Sequence, residues 1–329
     1  MRYALRRLGF FVLTLWVALT LNFLLPRLMP GNPALALLSK FRDQGLGPHE
    51  LTALETLFGV NTHQSLIGQY GGYLHQVLTG NFGISLSEYP KSVSSVIGNA
   101  IWWTLGLVGV ATILAFILGT GLGIVSAWRR GGKLDSVVPP VFVITSAIPY
   151  FWVAMVLVLV FGLTLHWFPS QGSYYVTTDT PGFNLTFIQD VINHAFLPAV
   201  SLLITTIGTW ILTMRNTMIT TLAEDYVRMA RAKGLPSWRI MFDYAARNAI
   251  LPNLTGFAMS LGFVVSGAIL IEYVFNYQGL GYMLLQAVSG EDYPLMQALF
   301  LLITTAVLFA ILVADILTAV LDPRTRAAR

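Results

Sequence analysis

Residues 220–252 read TTLAEDYVRMARAKGLPSWRIMFDYAARNAILP, a polar and basic stretch set between two apolar runs. Thr221, with Glu224 three residues on, has the pattern of a capping box, in which two side chains satisfy backbone N–H groups at a helix start. Good helix formers follow from Leu222 to Lys233. Gly234 fits the left-handed residue that ends a helix, where a Cβ would be strained. Pro236 and Ser237 turn the chain, and Ser237 can cap a second helix from Trp238 to Ile250. In that helix Trp238, Met241, Phe242, Ala245 and Ala249 recur at three- and four-residue spacing, broadly on one face. The expected product is a helix, a tight turn and a second helix outside the lipid. Ala230 and Ala232 stand beside Arg231 and Lys233. Small side chains let a backbone seat deeply in a partner's groove, and flanking cations orient it. A hairpin lying on lipid headgroups has the same pattern, so spacing alone leaves both readings open.

On either side the chain is apolar. Over 329 residues, 55% are hydrophobic, 10% are charged, and the mean hydropathy is +0.69. A soluble globular chain is about a quarter charged, so this one has too little polar surface to cover a water-soluble body. Crossing a bilayer takes roughly 20 apolar residues. Six runs approach that length, over residues 9–29, 101–125, 137–161, 195–214, 254–274 and 295–320. The first is too long for a signal-peptide core and closes on Pro26 and Arg27 without a small-residue cleavage pattern, so a retained span is expected. Pro139 and Pro140 fit the start of the third helix. The polar segment after the first run is expected to carry short outer amphipathic helices, in ELTALETLFGV (residues 50–60) and QSLIGQYGGYLHQVLTGNFG (residues 64–83). The reading is an all-α membrane protein of six transmembrane helices in one domain over 1–329. Residues 1–100 supply the first span and outer segment, and 101–329 a five-span core with the 217–252 loop.

Charge placement supports that topology. With the N-terminus inside, the inner segments carry Arg2, Arg6 and Arg7; Arg129, Arg130 and Lys133; Arg215, Arg228, Arg231, Lys233, Arg239 and Arg247; and Arg324, Arg326 and Arg329. Only Arg27, Lys40, Arg42 and Lys91, four of the nineteen Lys and Arg, fall outside. This is the positive-inside bias. It places both termini in the cytoplasm and accounts for the basic pI, so no nucleic-acid partner is required.

Catalytic signatures are missing. The sequence has no cysteine, hence no thiol nucleophile, thiolate metal site or disulfide. It has no G-x-x-x-x-G-K-[ST] phosphate loop, H-E-x-x-H or G-x-S-x-G. His49, His63, His75, His166 and His194 show no ligand spacing and read as structural or solvated. No catalytic residue, metal or cofactor site is expected. Gly119-x-x-x-Gly123 reads as a close helix-packing face. Ionisable groups within spans are costly. Asp315 interrupts the sixth run and reads as structurally paired, and Glu272, near the outer end of the fifth, as an outer polar contact or a residue on a solute path. By helix position, spans three and five would line such a path, through Ser146, Pro149, Ser266 and Glu272.

The 220–252 segment also resembles a known family. EDYVRMARAKGLPSWRI and the following NAILP are similar to the cytoplasmic coupling loop of binding-protein-dependent ABC importer permeases, most of all the dipeptide/oligopeptide subfamily. The resemblance runs nearly the whole chain, through MPGNP, GQYGGYLHQVLTGNFGISL, SAIPYFWVAMVLVLVF, YQGLGYMLLQAVSGEDYPLMQALFL and the closing LDPRTR. The family's glycine corresponds to Gly234, its small residues to Ala230 and Ala232, and its Leu-Pro to Leu251 and Pro252. Where the general pattern has Glu-Ala-Ala, this chain has Arg228, Met229 and Ala230, a change common in the peptide branch.

The resemblance implies a type I ABC importer permease fold with a cytoplasmic coupling helix, in a bacterial or archaeal inner membrane. Tyr226, Arg228, Ala230, Arg231, Ala232, Lys233, Gly234, Leu235 and Pro236 would contact an ATPase subunit. Its partners would be a sister permease in a heterodimer, two ATPase subunits that hold the ATP and Mg, an extracytoplasmic solute-binding protein and membrane lipid. The chain itself would be no enzyme. The solute would be a peptide, or alternatively an oligosaccharide. An ion-coupled secondary transporter is the competing class.

Overall fold

The computed structural model describes residues 2–28, 65–176 and 181–321. Helices dominate because apolar side chains recur over long runs and, in lipid, every backbone N–H and C=O must be paired within the segment. In chain order they are α1 (Arg2–Leu28), α2 (Leu66–Thr79), α3 (Val93–Trp128), α4 (Lys133–Ala147), α5 (Tyr150–Thr164) and α6 (Leu185–Leu222). The next are α7 (Asp225–Ala232), α8 (237–249), α9 (Leu251–Val264), α10 (Ile269–Val274), α11 (Leu280–Ser289) and α12 (Tyr293–Leu321). Segments 105–109 within α3, 158–164 within α5 and 240–246 within α8 are π-helical.

Among the described residues, α3, α6 and α12 are long and apolar enough to cross a membrane, and the α4–α5 pair adds a fourth if it counts as one span. The apolar part of α1 (Leu8–Leu24) and α9 (Leu251–Val264) are shorter. The expected third and fifth runs are not continuous helices. Between α4 and α5 the chain bends by 95°. Ile148 is extended there (φ −84°, ψ 129°), the conformation favoured before a proline because the Pro149 ring crowds the helical one. Helix α4 starts at Lys133, so Pro139 and Pro140 lie inside it rather than at its start. The fifth run breaks over residues 265–268: α9 ends at Val264, and Gly267, at φ +70°, redirects the chain before α10. The expected helix at 50–60, the MPGNP motif, the tail beyond Leu321 and the Asp315 side chain lie outside the described residues; the outer helix expected within 64–83 is α2.

The packing centre is the α3–α6 pair. A Cβ on Gly119 would lie 2.9 Å from the Ile207 carbonyl oxygen, and one on Gly123 would lie 2.7 Å from the Ile211 carbonyl oxygen. The Gly119-x-x-x-Gly123 face therefore does serve close backbone approach. Asn253 of α9 joins the same pair, donating from Nδ2 to Thr120 Oγ1 at 3.0 Å and to the Trp210 carbonyl at 3.2 Å. At the end remote from the hairpin, Asn22 Nδ2 donates to Tyr73 Oη at 3.0 Å and to the Gln297 carbonyl at 2.8 Å, joining α1, α2 and α12. Asp292 caps α12 through the Leu295 N–H at 3.1 Å and accepts from the Ser85 hydroxyl and the Ser87 N–H.

Candidate functional site

The hairpin forms as a helix, turn and helix, but with shifted joints. Helix α6 runs on to Leu222, and Thr221 donates its hydroxyl to the Thr217 carbonyl at 2.8 Å instead of capping a new helix. A hydroxyl inside a continuing helix has that carbonyl within reach. The N-cap of α7 is Glu224, and that of α8 is Pro236, so Ser237 is the first residue of its helix rather than its cap. The turn is as expected. Gly234 has φ +74°, its N–H donates to the Arg231 carbonyl at 2.9 Å, and the Leu235 N–H donates to the Ala230 carbonyl at 3.3 Å. Those two bonds make a Schellman closure. Leu235 completes it by packing on Val227, Ala230 and Ile240.

The expected single face of α8 is split. Ala245 and Ala249 are fully buried and Met241 packs beside them. Trp238 is 63% exposed and Phe242 49% exposed. The π-helical turns, closed by i→i+5 bonds, change the rotation per residue, so spacing counted at 3.6 no longer keeps these side chains together.

Ala245, Ala246 and Ala249 pack on Met214 and Met218 of α6 and on Ile124 and Ala127 of α3. Each methionine is fully buried, worth about 2 kcal/mol relative to exposure in water. Arg231 lies over the Trp128 ring, 5.8 Å from its centroid, and Asn248 Nδ2 donates to Tyr226 Oη at 3.0 Å. The hairpin is therefore seated on the ends of α3 and α6. Beside it, Arg215 of α6 grips Asp135 of α4 through both carboxylate oxygens, Nε–Oδ1 at 2.5 Å and Nη2–Oδ2 at 3.0 Å. The Gly131 N–H adds a third bond at 3.0 Å. This bidentate geometry is the strong form of an ion pair. Sequence reading missed it, although Asp135 is the lone acid beside three cations in its segment.

Of the nine expected contact residues, Tyr226, Arg228, Arg231, Ala232, Lys233, Gly234 and Pro236 lie on the exposed side, and Leu235 is half-buried. Ala230 is buried against Ile240 and belongs to the hairpin's own core. Met229, Trp238 and Phe242, which were not among the nine, are large apolar side chains exposed on the same hairpin.

The four expected path residues stand in different surroundings. Ser146 is half-buried, with its hydroxyl donating to the Phe142 carbonyl at 2.6 Å and packed where a Cβ on Gly208 of α6 would collide. Pro149 is exposed at the α4–α5 bend, and Ser266 sits in the α9–α10 break, donating to the Phe263 carbonyl at 2.6 Å. Glu272 is completely buried, so in this conformation it lines no open path and is no outer-surface contact. Its carboxylate accepts from Thr104 Oγ1 at 2.8 Å, the Gly281 N–H at 2.7 Å and the Tyr282 N–H at 3.1 Å. Thr104 in turn accepts from the Leu280 N–H at 2.7 Å. Elsewhere, His194 pairs with Asp190 at 3.1 Å. Among the described residues no three His, Asp or Glu side chains converge as metal ligands.

The sequence model of the family described as "Binding-protein-dependent transport system inner membrane component" matches residues 119–327. A Brucella suis biovar 1 protein provisionally named a peptide permease is 35% identical over 327 residues, 99% of each chain. The di/tripeptide transport system permease of Pseudomonas aeruginosa UCBPP-PA14 is 33% identical over 333 residues, 98% of this chain and 97% of that one. The oligopeptide transport system permease of Bacillus subtilis 168 is 32% identical over 304 residues, 92% of each.

Proposed function

Because this chain belongs to the binding-protein-dependent transport system inner membrane component family and is a permease subunit of an ABC importer, we propose that it passes short peptides inward, driven by separate ATPase subunits that dock on the α7–α8 hairpin. It works beside a distinct sister permease, with an extracytoplasmic binding protein delivering solute. In this reading the chain crosses the membrane six times, with both termini and the hairpin on the cytoplasmic side, as the distribution of Lys and Arg favours. The peptide class rests on the names of the relatives.

The seating of the hairpin carries this reading. Its exposed side offers Tyr226, Met229, Trp238 and Phe242 among Arg228, Lys233 and Arg239, a contact surface of apolar anchors with cationic surrounds. Its buried side is packed on α3 and α6, and Arg215–Asp135 joins α4 to them. A displacement of the hairpin thus acts on three membrane helices together. The chain does no covalent chemistry. ATP and magnesium act on the partner subunits, and their binding there shifts the permease between outward- and inward-facing states by differential affinity for the two.

The test is peptide uptake by the reconstituted transporter in ATP-loaded vesicles. Uptake persists when ion gradients are dissipated and stops when the ATPase subunits are left out. Collapse with the gradient would instead establish an ion-coupled transporter. Affinity of the binding protein for peptide and oligosaccharide panels decides the solute class.

A further inference from the structure

At the end of α3 remote from the hairpin lies a groove of about 290 Å³. One wall is the start of α3, where Asn99 and Trp103 stand one turn apart on the same face. The opposite wall carries Gln278, just before α11, and Tyr282 and Gln286 on it. Apolar Val96, Ala100 and Met283 complete the lining. At its edge Lys91 and Glu88 form an ion pair at 2.8 Å, with side chains 58% and 28% exposed. None of these residues serves the hairpin.

We propose that this groove is a transit site for a short zwitterionic peptide, a deepening that rests on the peptide reading above. Lys91 takes the α-carboxylate and Glu88 the α-ammonium group. An exposed pair of this kind contributes little to stability, so exchanging its partners for the termini of a peptide costs little. Asn99, Gln278 and Gln286 each hold a donor and an acceptor, the complement of a peptide group. Apart from the pair the lining is uncharged, so it favours neither acidic nor basic side chains on the guest. Its volume sits at the small end of ligand sites, which suits two or three residues better than a long oligosaccharide.

The walls are fixed. Trp103 stacks on Tyr174 at 5.6 Å and meets Tyr277 edge-on at 5.8 Å, and the Tyr282 backbone is held by Glu272. A site whose supports are locked presents its polar groups without first ordering them.

The experiment uses the complete transporter in proteoliposomes, with a dipeptide carrying a photoreactive p-benzoyl-phenylalanine as probe. The expected result is covalent adducts mapping to residues 88–103 or 278–286, suppressed by excess dialanine but not by excess disaccharide. With Lys91→Gln and Glu88→Gln together, adduct yield falls at least fivefold while the thermal midpoint of the complex is unchanged. If that variant does not assemble, wild-type mapping with and without dialanine decides alone. Transport of the probe with adducts only elsewhere overturns the site and leaves the peptide reading intact. A probe neither transported nor cross-linked, beside active disaccharide uptake, overturns both.

Discussion

Thr104 and Glu272, 168 residues apart in sequence, interlock: the Thr104 hydroxyl donates to Glu272 at 2.8 Å and accepts the Leu280 N–H at 2.7 Å. Helices α3, α10 and the start of α11 are thereby closed around one buried carboxylate. A Cβ on Gly279 would lie 2.5 Å from Thr104 Oγ1, and one on Gly281 would lie 2.7 Å from Ile269 Cα. The glycines of YQGLGY thus let the α11 N-terminus come down onto the carboxylate, where N–H groups without partners inside the helix favour negative charge.

Thr104→Val keeps the shape but leaves the Leu280 N–H and one carboxylate oxygen without partners. It should cost about 2 kcal/mol, read as a lowered thermal midpoint of the purified complex, whereas Thr104→Ser should retain most of it. Equal midpoints for the two variants would show that the bonds contribute nothing.

Gly234→Val forces a β-branched side chain to φ +74°. No atom lies within 4 Å of a Cβ there, so the cost is backbone strain of about 1–2 kcal/mol rather than collision. The turn re-forms with altered geometry, and ATP hydrolysis uncouples from uptake. Unchanged uptake together with unchanged solute-stimulated hydrolysis would remove Gly234 from the coupling role.

Arg215→Gln leaves Asp135 nearly buried without its bidentate partner, a loss of about 3 kcal/mol. The paired change Asp135→Leu with Arg215→Met should recover much of it, because an apolar pair carries no desolvation penalty. Denaturation of the three forms in detergent distinguishes an ion pair that matters for its geometry from one that merely must not be halved.

Gly123→Ile places bulk where even a Cβ would lie 2.8 Å from Met214 Cβ. Helices α3 and α6 must separate, costing about 1–3 kcal/mol and loosening the seat of the hairpin. Gly121, whose Cβ would meet nothing within 4 Å, should accept alanine without effect on the thermal midpoint or on uptake.

The turn at Gly234 was legible because a left-handed cap depends on a residue's own backbone freedom. The α8 face was not, because its π-helical turns break the 3.6-residue count by which Trp238 and Ala245 were placed together. Exposed Met229 has a different origin, since it stands on the regular α-helix α7, and Ala230 was expected on the outside because spacing does not say which way a small residue turns.

Composition and charge placement settled by themselves that this chain is a helical membrane protein, since those features depend on solvent and on near neighbours in sequence. Local steric rules likewise marked the hairpin between α6 and α9. Only the tertiary structure decided that Glu272 is enclosed, that Asp135 meets Arg215, and that the third run bends by 95° at Pro149. Contacts between residues 80 or 168 positions apart are fixed by how helices pack, and hydrophobic periodicity gives which side of a helix is apolar but not which neighbour covers it.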